Sequence, residues 1–297
     1  MGCLYGSYLA NGYEDLWLLD MWQEHVVKIE ADGVTLLSPT GEFLARPRAT
    51  MLASNIGPAD LIIVAVKSND TAEAALVAEY FLKPDSVVLT LQNGLGNIEQ
   101  LAEVVGDERL LVGMTLMGAK ILEPGLVVHG GLRETRIASW TKNDDCRVDK
   151  IVKMFNKAGL PTVVESNVHS LLWSKLSIHA GINAVTALTG LNNEAFINSS
   201  DAVRLARMAV GEVVAVATVA GIPLLYPNCA EEMMAYAEAM REQSSPMLDD
   251  FLHGRKMEVE AINGSVVNLG KMFGVPTPVN ETLLLALKTR EQAAKLK

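Results

Sequence analysis

Two uninterrupted apolar runs constrain the fold of this chain more than any other feature. The first covers residues 61–66 and reads Leu-Ile-Ile-Val-Ala-Val, and the second covers residues 86–91 and reads Ser-Val-Val-Leu-Thr-Leu. Continuous runs of this length and composition are typical of strands that are buried on both faces of a parallel sheet. Each run is followed by a turn and then by a helical pattern, over residues 71–81 and 98–105. This order predicts a doubly wound α/β sheet.

Shorter segments extend this pattern along the first half of the chain. Residues 16–19 form a strand candidate that ends at Asp20, and residues 2–10 before it have a helical pattern. Gly2 and Gly6 fall on one face of that helix, which is the spacing that close packing of a helix on a strand requires. Further strands are expected at residues 110–115, 125–129 and 135–138.

The second half of the chain carries no comparable strand signal. Apolar residues recur there at helical spacing, and glycine, proline and serine interrupt the periodicity. The expected helices cover residues 168–188, 202–220, 230–241, 257–273 and 279–294. The sequence therefore predicts a doubly wound α/β domain over residues 1–164 and an all-helical domain over residues 165–297.

Composition excludes several classes of function. The chain has 297 residues, of which 49% are hydrophobic and 20% charged, the balance of a soluble globular protein. Its formal net charge of −10 argues against nucleic acid as a partner. No segment approaches the roughly 20 uncharged apolar residues of a membrane span, and the first residues lack the features of a signal peptide. Cys3, Cys146 and Cys229 are too far apart for a disulfide framework or structural zinc, so we expect a cytoplasmic protein without a bound metal.

Polar side chains follow three of the expected strands. Asp20 ends one strand, Lys67 ends the next, and Asn93 ends the third, at the start of the glycine-containing segment 93–97. Ligands of open α/β sheets bind beyond the carboxyl ends of the strands, where an acidic residue can accept from a ribose hydroxyl. A solvated lysine and an ordinary Asn-Gly turn are the simpler alternatives. The combination predicts a cofactor crevice.

One helix of the second half carries a narrow polar stripe. Lys175, Thr186, His179 and Asn183 fall within about 80° of one another at 100° per residue. Apolar residues cover most of the remaining circumference, as in a buried helix. The stripe is either an exposed edge along which Lys175 reaches solvent, or a buried site. A buried lysine suits general acid catalysis, because desolvation lowers a lysine pKa toward neutrality.

The carboxylates that follow this helix allow different interpretations. Glu258 lies near an expected helix start, where it either stabilises the positive end of the helix dipole or faces Lys175 and holds its ammonium in place. The pair Asp249-Asp250 is short enough to be an ordinary solvated face.

Five segments together resemble the ketopantoate reductase (2-dehydropantoate 2-reductase) family. They are Leu-Gln-Asn-Gly-Leu-Gly-Asn at residues 91–97, Glu-Pro-Gly at 123–125, Trp-Ser-Lys-Leu at 173–176, Ile-Asn-Ala at 182–184 and Glu-Val-Glu-Ala-Ile-Asn-Gly at 258–264. Their order and spacing agree with the family along essentially the whole chain. The resemblance implies a Rossmann-like dinucleotide-binding domain and a helical substrate and dimerisation domain like that of the 6-phosphogluconate dehydrogenases. It also implies reduction of 2-dehydropantoate to pantoate by NADPH, in pantothenate synthesis.

The resemblance implies roles for individual residues as well. Lys175 is expected to donate the proton to the substrate oxygen, and Asn93 to lie where nicotinamide and substrate meet. The other contacts to the 2-oxo acid substrate are expected from His179, Asn183, Asn193 and Ser245. The other contacts to the cofactor are expected from Gly2, Asp20, Lys67, Ala119 and Glu258. The methionine- and alanine-rich helices suggest a homodimer.

Two departures from the family bear on the cofactor. The family opens with a strand and a G-x-G-x-x-G turn, of which this chain holds only Gly2. We therefore expect a missing first strand, from a mis-assigned start or a trimmed sequence, and weakened cofactor binding. Asp20 stands where members that use NADPH often have an arginine. A carboxylate repels a 2′-phosphate, which leaves NADH open as the cofactor.

Two further departures bear on the substrate. His179 replaces an asparagine, and its protonatable ring could pair with a carboxylate or select a different 2-oxo acid. Pro246 replaces a serine, whose role passes to Ser245 or is lost. Two alternatives therefore stay open: a reductase of another 2-oxo acid in the same family, and a non-catalytic dimerising protein that has lost its nucleotide turn.

Overall fold

The computed structural model describes residues 1–142 and 145–295, which form two units. The first unit comprises Met1–Val66, Asp70–Gln92 and Ile98–Val168. The second comprises Lys67–Asn69, Asn93–Asn97 and the chain from His169 onward. Two short segments of the N-terminal half therefore belong to the unit that is otherwise built from the C-terminal half.

The first unit is an α/β structure, as the sequence predicts. Its five-stranded sheet has the order β11-β10-β7-β6-β5, in which β5, β6 and β7 are parallel and β10 is antiparallel to β7. The elements are α1 (Gly2–Ala10), β1 (Trp17–Leu19), α2 (Gln23–Asp32), β2 (Val34–Ser38), β3 (Gly41–Ala45), β4 (Arg48–Thr50), β5 (Leu61–Val64), α3 (Thr71–Tyr80), β6 (Val87–Thr90), α4 (Asn97–Val105), β7 (Leu110–Thr115), β8 (Ala119–Glu123), β9 (Leu126–His129), β10 (Thr135–Ser139), α5 (Cys146–Lys157) and β11 (Thr162–Val164).

Burial differs between the two apolar runs that predict this sheet. Strand β6 is buried along its whole length, because it pairs with β5 on one side and with β7 on the other. Strand β5 is only partly buried over Leu61–Ile63, and Val66 beyond it is 41% exposed. The expectation that residues 61–66 are buried on both faces is therefore wrong, because β5 is the edge strand of its sheet.

Other strands of the first unit form two smaller sheets that the sequence does not predict. Strands β1 and β4 make a separate parallel pair, with Leu18 opposite Ala49. A four-stranded sheet has the order β3-β2-β9-β8, and it includes the expected strand at residues 125–129. The alternating pattern predicts that residues 125–129 belong to the main parallel sheet, whereas β9 belongs to this smaller sheet.

Helix α1 packs closely on β1 through one of its two glycines. A Cβ at Gly6 would lie 2.6 Å from Leu18 Cδ2, so only glycine fits there without a shift. A Cβ at Gly2 would meet nothing within 4 Å, and the packing role expected for Gly2 is therefore wrong. Leu4 and Tyr5, on the same helix, are buried in the core of this unit together with Phe155.

The second unit is helical. Helix α8 packs against α7, α9, α11 and α12. The elements are α6 (Val168–Thr189), α7 (Asn193–Ile197), α8 (Ser200–Val219), α9 (Cys229–Ala239), α10 (Pro246–Leu252), a π-helix (Glu260–Gly264), α11 (Ser265–Phe273) and α12 (Pro278–Lys295).

Two stretches of this unit differ from the expected helices. The single helix expected over residues 257–273 begins as a π-helix and continues as α11. The serine-proline stretch that looks like a break is the start of α10, where the Ser245 side chain accepts from the main-chain N–H of Leu248 and Pro246 takes the first helical position. Among the helices of the described residues, none is both long and apolar enough to cross a membrane.

Candidate active site

The polar stripe of α6 is buried. Lys175 and His179 are each 4% exposed, Asn183 is 1% exposed and Thr186 is fully buried. These four side chains lie within eleven residues of one helix, so the helical period brings them to one face. The alternative of an exposed edge, with Lys175 reaching solvent, is therefore wrong.

The burial of α6 follows from how closely its neighbours approach. A Cβ at Gly181 would lie 2.5 Å from Met233 Sδ on α9 and 2.9 Å from Val210 Cγ2 on α8. The same Cβ would lie 3.0 Å from the main-chain oxygen of Ala206. Glycine at this position lets α8 and α9 pack directly on the α6 backbone, which keeps water away from the helix.

Lys175 is the proton-donor candidate, and its surroundings adjust its acidity. Burial lowers the pKa of Lys175 to about 8, and the negative charge of Glu258 opposes this shift. An ammonium with a pKa near 8 is mostly protonated at neutral pH and gives up its proton more readily than an exposed lysine. The side chain therefore has the properties that a general acid needs.

Glu258 is a buried carboxylate with fixed partners. It is 4% exposed, and its Oε1 accepts from the main-chain N–H of Ser68 at 2.9 Å. The ammonium of Lys67 lies 3.8 Å from its Oε2. Its charge acts on Lys175, as the second of the two interpretations requires.

Asp250 is a member of this cluster that the sequence does not reveal. It is 1% exposed, so the interpretation of Asp249-Asp250 as a solvated face is wrong for Asp250. Its Oδ2 accepts from Lys67 Nζ at 2.6 Å, and its Oδ1 accepts from Arg255 Nε at 2.9 Å. A carboxylate is buried here because two cations and two hydrogen bonds offset its desolvation. Lys67 is 183 residues away in sequence, so no local sequence pattern predicts its contact with Asp250.

The glycine-containing segment 93–97 lies against the π-helix. Gly94 has φ of +81°, and a Cβ there would lie 2.5 Å from the main-chain oxygen of Ala261. The same oxygen accepts from the N–H of Leu95 at 2.9 Å, and the Asn97 side chain donates to the main-chain oxygen of Asn93 at 2.7 Å. Gly94 therefore allows a close approach of backbone to backbone, and this contact fixes the main chain beside Asn93.

His179 and Asn183 hydrogen-bond to each other within the stripe. Asn183 Nδ2 lies 2.9 Å from His179 Nδ1. An amide nitrogen can only donate, so Nδ1 accepts and the ring proton of neutral His179 lies on Nε2. Burial and the positive charge of Lys175 lower the pKa of His179 to about 3. The ring is therefore neutral at physiological pH, which argues against the ion pair with a carboxylate that the sequence suggests.

Several buried polar atoms of this unit lack a protein partner. Within residues 1–142 and 145–295, no hydrogen bond reaches His179 Nε2 or the side-chain oxygens of Asn183, Asn193 and Asn263. Asn193 itself is held by its Nδ2, which donates to the main-chain oxygen of Met240 at 2.8 Å. Unpaired buried polar atoms are costly, so a polar group that reached one of them would be bound favourably.

Ser245 is a buried cap rather than a free hydroxyl. Its Oγ lies 2.6 Å from Thr186 Oγ1 and accepts from the N–H of Leu248 at 3.3 Å. Thr186 Oγ1 already donates to the main-chain oxygen of Ile182 at 2.6 Å. The proton between the two hydroxyls therefore comes from Ser245, which leaves that residue little donor capacity for a substrate.

The cofactor residues expected in the first unit lie on α1, directly after β1 and on β8. Gly2 is the first residue of α1, and Ala119 is the first residue of β8. Asp20 follows β1, and its main-chain N–H donates to the oxygen of Thr50 at 3.2 Å. Its Oδ1 accepts from the main-chain N–H of Trp22 at 2.9 Å, which fixes the carboxylate at the carboxyl end of the strand.

Comparison with known proteins gives this arrangement a family. The model of the family described as "Ketopantoate reductase PanE/ApbA" matches residues 1–142, and the model of its C-terminal part matches residues 167–291. The chain belongs to the ketopantoate reductase family. It is therefore an oxidoreductase by family, with the expected combination of a Rossmann-like unit and a helical unit.

Individual members of the ketopantoate reductase family are similar along nearly the whole chain. A protein named 2-dehydropantoate 2-reductase from Halobacterium salinarum is 35% identical over 284 residues, which cover 95% of this chain and 93% of that protein. One of the same name from Pyrococcus abyssi is 30% identical, covering 98% and 95% of the two chains. The crystal structure of a PanE/ApbA family ketopantoate reductase from Ralstonia eutropha JMP134 superimposes with a TM-score of 0.88 at 28% identity, covering 98% and 95%.

Proposed function

We propose that the protein reduces 2-dehydropantoate to pantoate with a reduced nicotinamide cofactor, and that Lys175 donates the proton. The family relationship supports the class of reaction. The observation that carries the assignment of the acid is the burial of Lys175 beside the charge of Glu258, which sets its pKa at about 8. A protonated ammonium in a dry site both stabilises negative charge on oxygen and can neutralise it.

The chemistry requires one hydride and one proton. When bound, a reduced nicotinamide supplies the hydride that reaches C2 of the 2-oxo acid. The ketone oxygen gains negative charge as the C–H bond forms, and Lys175 Nζ stabilises that charge and transfers a proton to it. The neutral amine then takes up a proton from solvent, which the neighbouring carboxylate of Glu258 favours.

Residues of the second unit fit the nicotinamide end of such a cofactor. Asn93 carries an amide that can both donate to and accept from a carboxamide, and its main chain is fixed by Asn97. Lys67, which is paired with Asp250, and Glu258 supply a cation and an anion whose positions are set by hydrogen bonds. We propose these three residues as the cofactor contacts of this unit.

In the first unit, Asp20 is proposed to contact the adenosine ribose. The resemblance favours NADPH, whereas a carboxylate at the end of β1 accepts from a free 2′-hydroxyl and repels a 2′-phosphate. We propose that both cofactors are used and that Asp20 shifts the preference toward NADH. Asp20→Asn is then expected to raise the NADPH/NADH ratio of kcat/KM by roughly ten- to a hundredfold, since juxtaposed like charges cost on the order of a few kcal/mol. Asp15→Asn, at an exposed aspartate, is the control and leaves the ratio unchanged.

The test of the reaction is an assay of reduced-nicotinamide absorbance with 2-dehydropantoate, run with NADPH and NADH in parallel. Turnover supports the proposal. His179 leaves open the alternative that the substrate is a different 2-oxo acid. A panel of 2-oxo acids in the same assay tests that alternative. Equal or higher kcat/KM for a substrate without the hydroxyl end would refute the assignment of 2-dehydropantoate.

Replacement of Lys175 tests the assignment of the acid. Lys175→Ala is expected to lower kcat by ~10²–10⁴ while cofactor affinity is retained, which is the usual scale of general acid catalysis. Lys271→Ala is the control, because Lys271 is exposed and paired with Glu281. Unchanged turnover in Lys175→Ala would remove Lys175 from the mechanism.

Location and assembly are further proposals. All three cysteines are free thiols, and Cys3 and Cys229 are buried, which supports a reducing compartment such as the cytoplasm. The homodimer stays a prediction, and sedimentation at micromolar concentration measures it directly.

A further inference from the structure

A buried chain of hydrogen bonds joins the π-helix to three other helices of the second unit. Asn263 in the π-helix is fully buried, and its Nδ2 donates to the main-chain oxygen of Ala180 on α6 and to Asn280 Oδ1 on α12, each at 3.0 Å. Asn280 Nδ2 donates in turn to the main-chain oxygen of Ala209 at 3.0 Å and to Glu212 Oε2 at 2.7 Å, both on α8. The π-helix is therefore fastened to α6 directly and to α8 through α12.

The π-helix has a hydrogen-bond register that depends on such contacts. The N–H of Gly264 donates to the oxygen of Val259, five residues back, at 3.0 Å. The oxygen of Ala261, which would accept from the N–H of Ser265 in an α-helix, accepts instead from the N–H of Leu95 at 2.9 Å. π-Helices are rare and occur mostly as single turns inside α-helices, frequently at functional sites. Tertiary contacts hold this one in place of the more stable α-helical register.

The register of the π-helix determines the position of Glu258. A π-helical turn holds one residue more than an α-helical turn, so a change to α-helical register would rotate the preceding residues by about 100° relative to α11. Glu258 lies two residues before the π-helix, and its main-chain oxygen accepts from the N–H of Ile262 within it at 3.1 Å. Such a rotation would carry the carboxylate away from Ser68 and from Lys175, on which its charge acts.

Asn263 binds α6 at a place that relates the two charged side chains. Ala180 lies five residues after Lys175, and Asn263 lies five residues after Glu258. The hydrogen bond between Asn263 and Ala180 therefore ties together the two segments that carry the ammonium and the carboxylate. Asn263 Oδ1 has no partner among the described residues, so this amide is buried at a cost in free energy. What its directional bonds provide is one fixed arrangement of the two segments.

We infer that Asn263 is a positioning residue, which holds the π-helix on α6 and so keeps the carboxylate of Glu258 beside the ammonium of Lys175. The inference rests on the proposed role of Lys175 as the acid. The other ionisable groups of this site are Lys67 and the neutral ring of His179. Asn263 hydrogen-bonds to none of these four side chains and acts through the main chain that carries two of them.

The titration of Lys175 tests this inference without depending on turnover. Lysine labelled with ¹³C at Cε gives one NMR signal per side chain, and comparison with Lys175→Ala assigns the signal of Lys175. We expect its midpoint in the wild type at about pH 8. Asn263→Leu keeps the size of the side chain and removes both hydrogen bonds. It is expected to lower the midpoint by roughly half a pH unit or more, because the charge of Glu258 no longer favours the ammonium.

Three further variants separate positioning from a general loss of stability. Asn263→Ser keeps one donor and is expected to lower the midpoint less than Asn263→Leu does. Asn263→Leu combined with Glu258→Gln is expected to match Glu258→Gln alone, since both substitutions act through one charge. Ser174→Ala is the control, because Ser174 is buried on α6 and its Oγ accepts from the N–H of Leu225 at 2.8 Å. It is expected to reduce stability in urea without lowering the Lys175 midpoint.

The direction of the shift distinguishes the two roles. A loosened site admits water, which would raise the Lys175 midpoint toward that of an exposed lysine, whereas a displaced Glu258 lowers it. A midpoint that rises or stays in place in Asn263→Leu would overturn the inference, as would shifts that add in the double variant. If Asn263→Leu does not fold, the comparison of Asn263→Ser with Ser174→Ala decides. Wild-type protein that does not reduce 2-dehydropantoate would refute the reductase proposal, and the titration would still decide whether Asn263 positions Glu258.

Discussion

At the scale of single residues, the burial of Lys175 and the charge of Glu258 set the pH range in which a proton can be donated. Burial lowers the pKa of Lys175 to about 8, and Glu258 opposes that shift. The ammonium is therefore present below pH 8 and is lost as the pH rises through that value. We predict that kcat/KM for reduction is level at neutral pH and falls roughly tenfold per pH unit above about pH 8.5, as measured at constant ionic strength.

Glu258→Gln provides the control for this pH profile. The substitution removes the negative charge that raises the pKa of Lys175, so the falling limb is expected to move to lower pH. Lys175→Ala is expected to lose the limb altogether. A limb that stays in place in both variants would show that another group supplies the proton.

Asp250 is expected to contribute to stability through the two cations that it holds. Asp250→Asn removes the buried negative charge that pairs with both Lys67 and Arg255, and we predict a loss of about 1–3 kcal/mol in the free energy of unfolding in urea. Asp249→Asn is the matched control, because the Asp249 side chain is 17% exposed and pairs with the half-exposed Arg255. Its cost is expected to stay below about 1 kcal/mol. Equal losses would contradict the special position of Asp250.

The sequence predicts some residues of the site better than others for a physical reason. Lys175, His179, Asn183 and Thr186 lie on one helix, so the helical period alone brings them to one face. Asp250 acquires its role from a residue 183 positions away, which no local pattern encodes. The tautomer of His179 likewise depends on which amide atom faces its ring, and that is a matter of packing.

At the scale of elements, the contact between segment 93–97 and the π-helix depends on one glycine. Gly94 and Gly96 both have positive φ, +81° and +86°, so alanine at either position costs about 1–2 kcal/mol. Only at Gly94 would the new Cβ lie 2.5 Å from the main chain of Ala261, whereas Gly96 borders open space. We predict that Gly94→Ala is less stable than Gly96→Ala by at least about 1 kcal/mol and also lowers kcat/KM. Equal stabilities would indicate that the segment moves freely.

Alanine substitutions at two helical glycines are expected to change the free energy of unfolding in opposite directions. A Cβ at Gly181 would press on Val210 and Ala206 at 3.0 Å or less, and Gly181→Ala is expected to destabilise the protein by about 1–3 kcal/mol. Gly211 is exposed on α8 with nothing within 4 Å of a Cβ. Gly211→Ala is expected to stabilise by about 0.5–1 kcal/mol, since alanine is the better helix former. Urea unfolding of the two variants measures both, and destabilisation by both would contradict this account of their surroundings.

The elements that periodicity predicts are those whose environment repeats along the chain. Strand β6 is buried along its whole length and helix α6 along most of it, so their composition is nearly uniform and their type is evident. The sheet β3-β2-β9-β8 is missed because its central pairing joins β2 to β9, which are distant in sequence, and no local pattern distinguishes the π-helix at Glu260–Gly264 from an α-helix. Strand β5 has the apolar composition of a central strand, but it lies at the edge of its sheet. The composition of a strand does not show how many strands pair with it.

At the scale of the whole molecule, the division into units does not follow the order of the chain. Residues 67–69 and 93–97 interrupt the first unit and cluster with the helical second unit. They are the segments that follow β5 and β6, and they supply Lys67, Ser68 and Asn93. The sequence predicts that these strand ends carry function, but it assigns them to the domain in which they occur. These two segments group with the second unit because they contact Asp250, Glu258 and Ala261. A local sequence pattern cannot predict contacts between residues so far apart in the chain.

Cofactor binding is the property of the whole molecule that separates a reductase from a non-catalytic dimerising protein. A ligand that binds only the native state stabilises it by RT ln(1 + [L]/Kd), which is about 2.7 kcal/mol at a hundredfold excess over Kd. We predict that saturating NADH raises Tm by on the order of 5 °C, and by the same amount in Lys175→Ala, because Lys175 acts on the substrate oxygen. Glu258→Gln is expected to show a smaller increase, since Glu258 is proposed to contact the cofactor. A wild-type Tm unaffected by NADH and NADPH alike would favour the non-catalytic alternative, whereas an increase confined to the wild type would place Lys175 in the cofactor site.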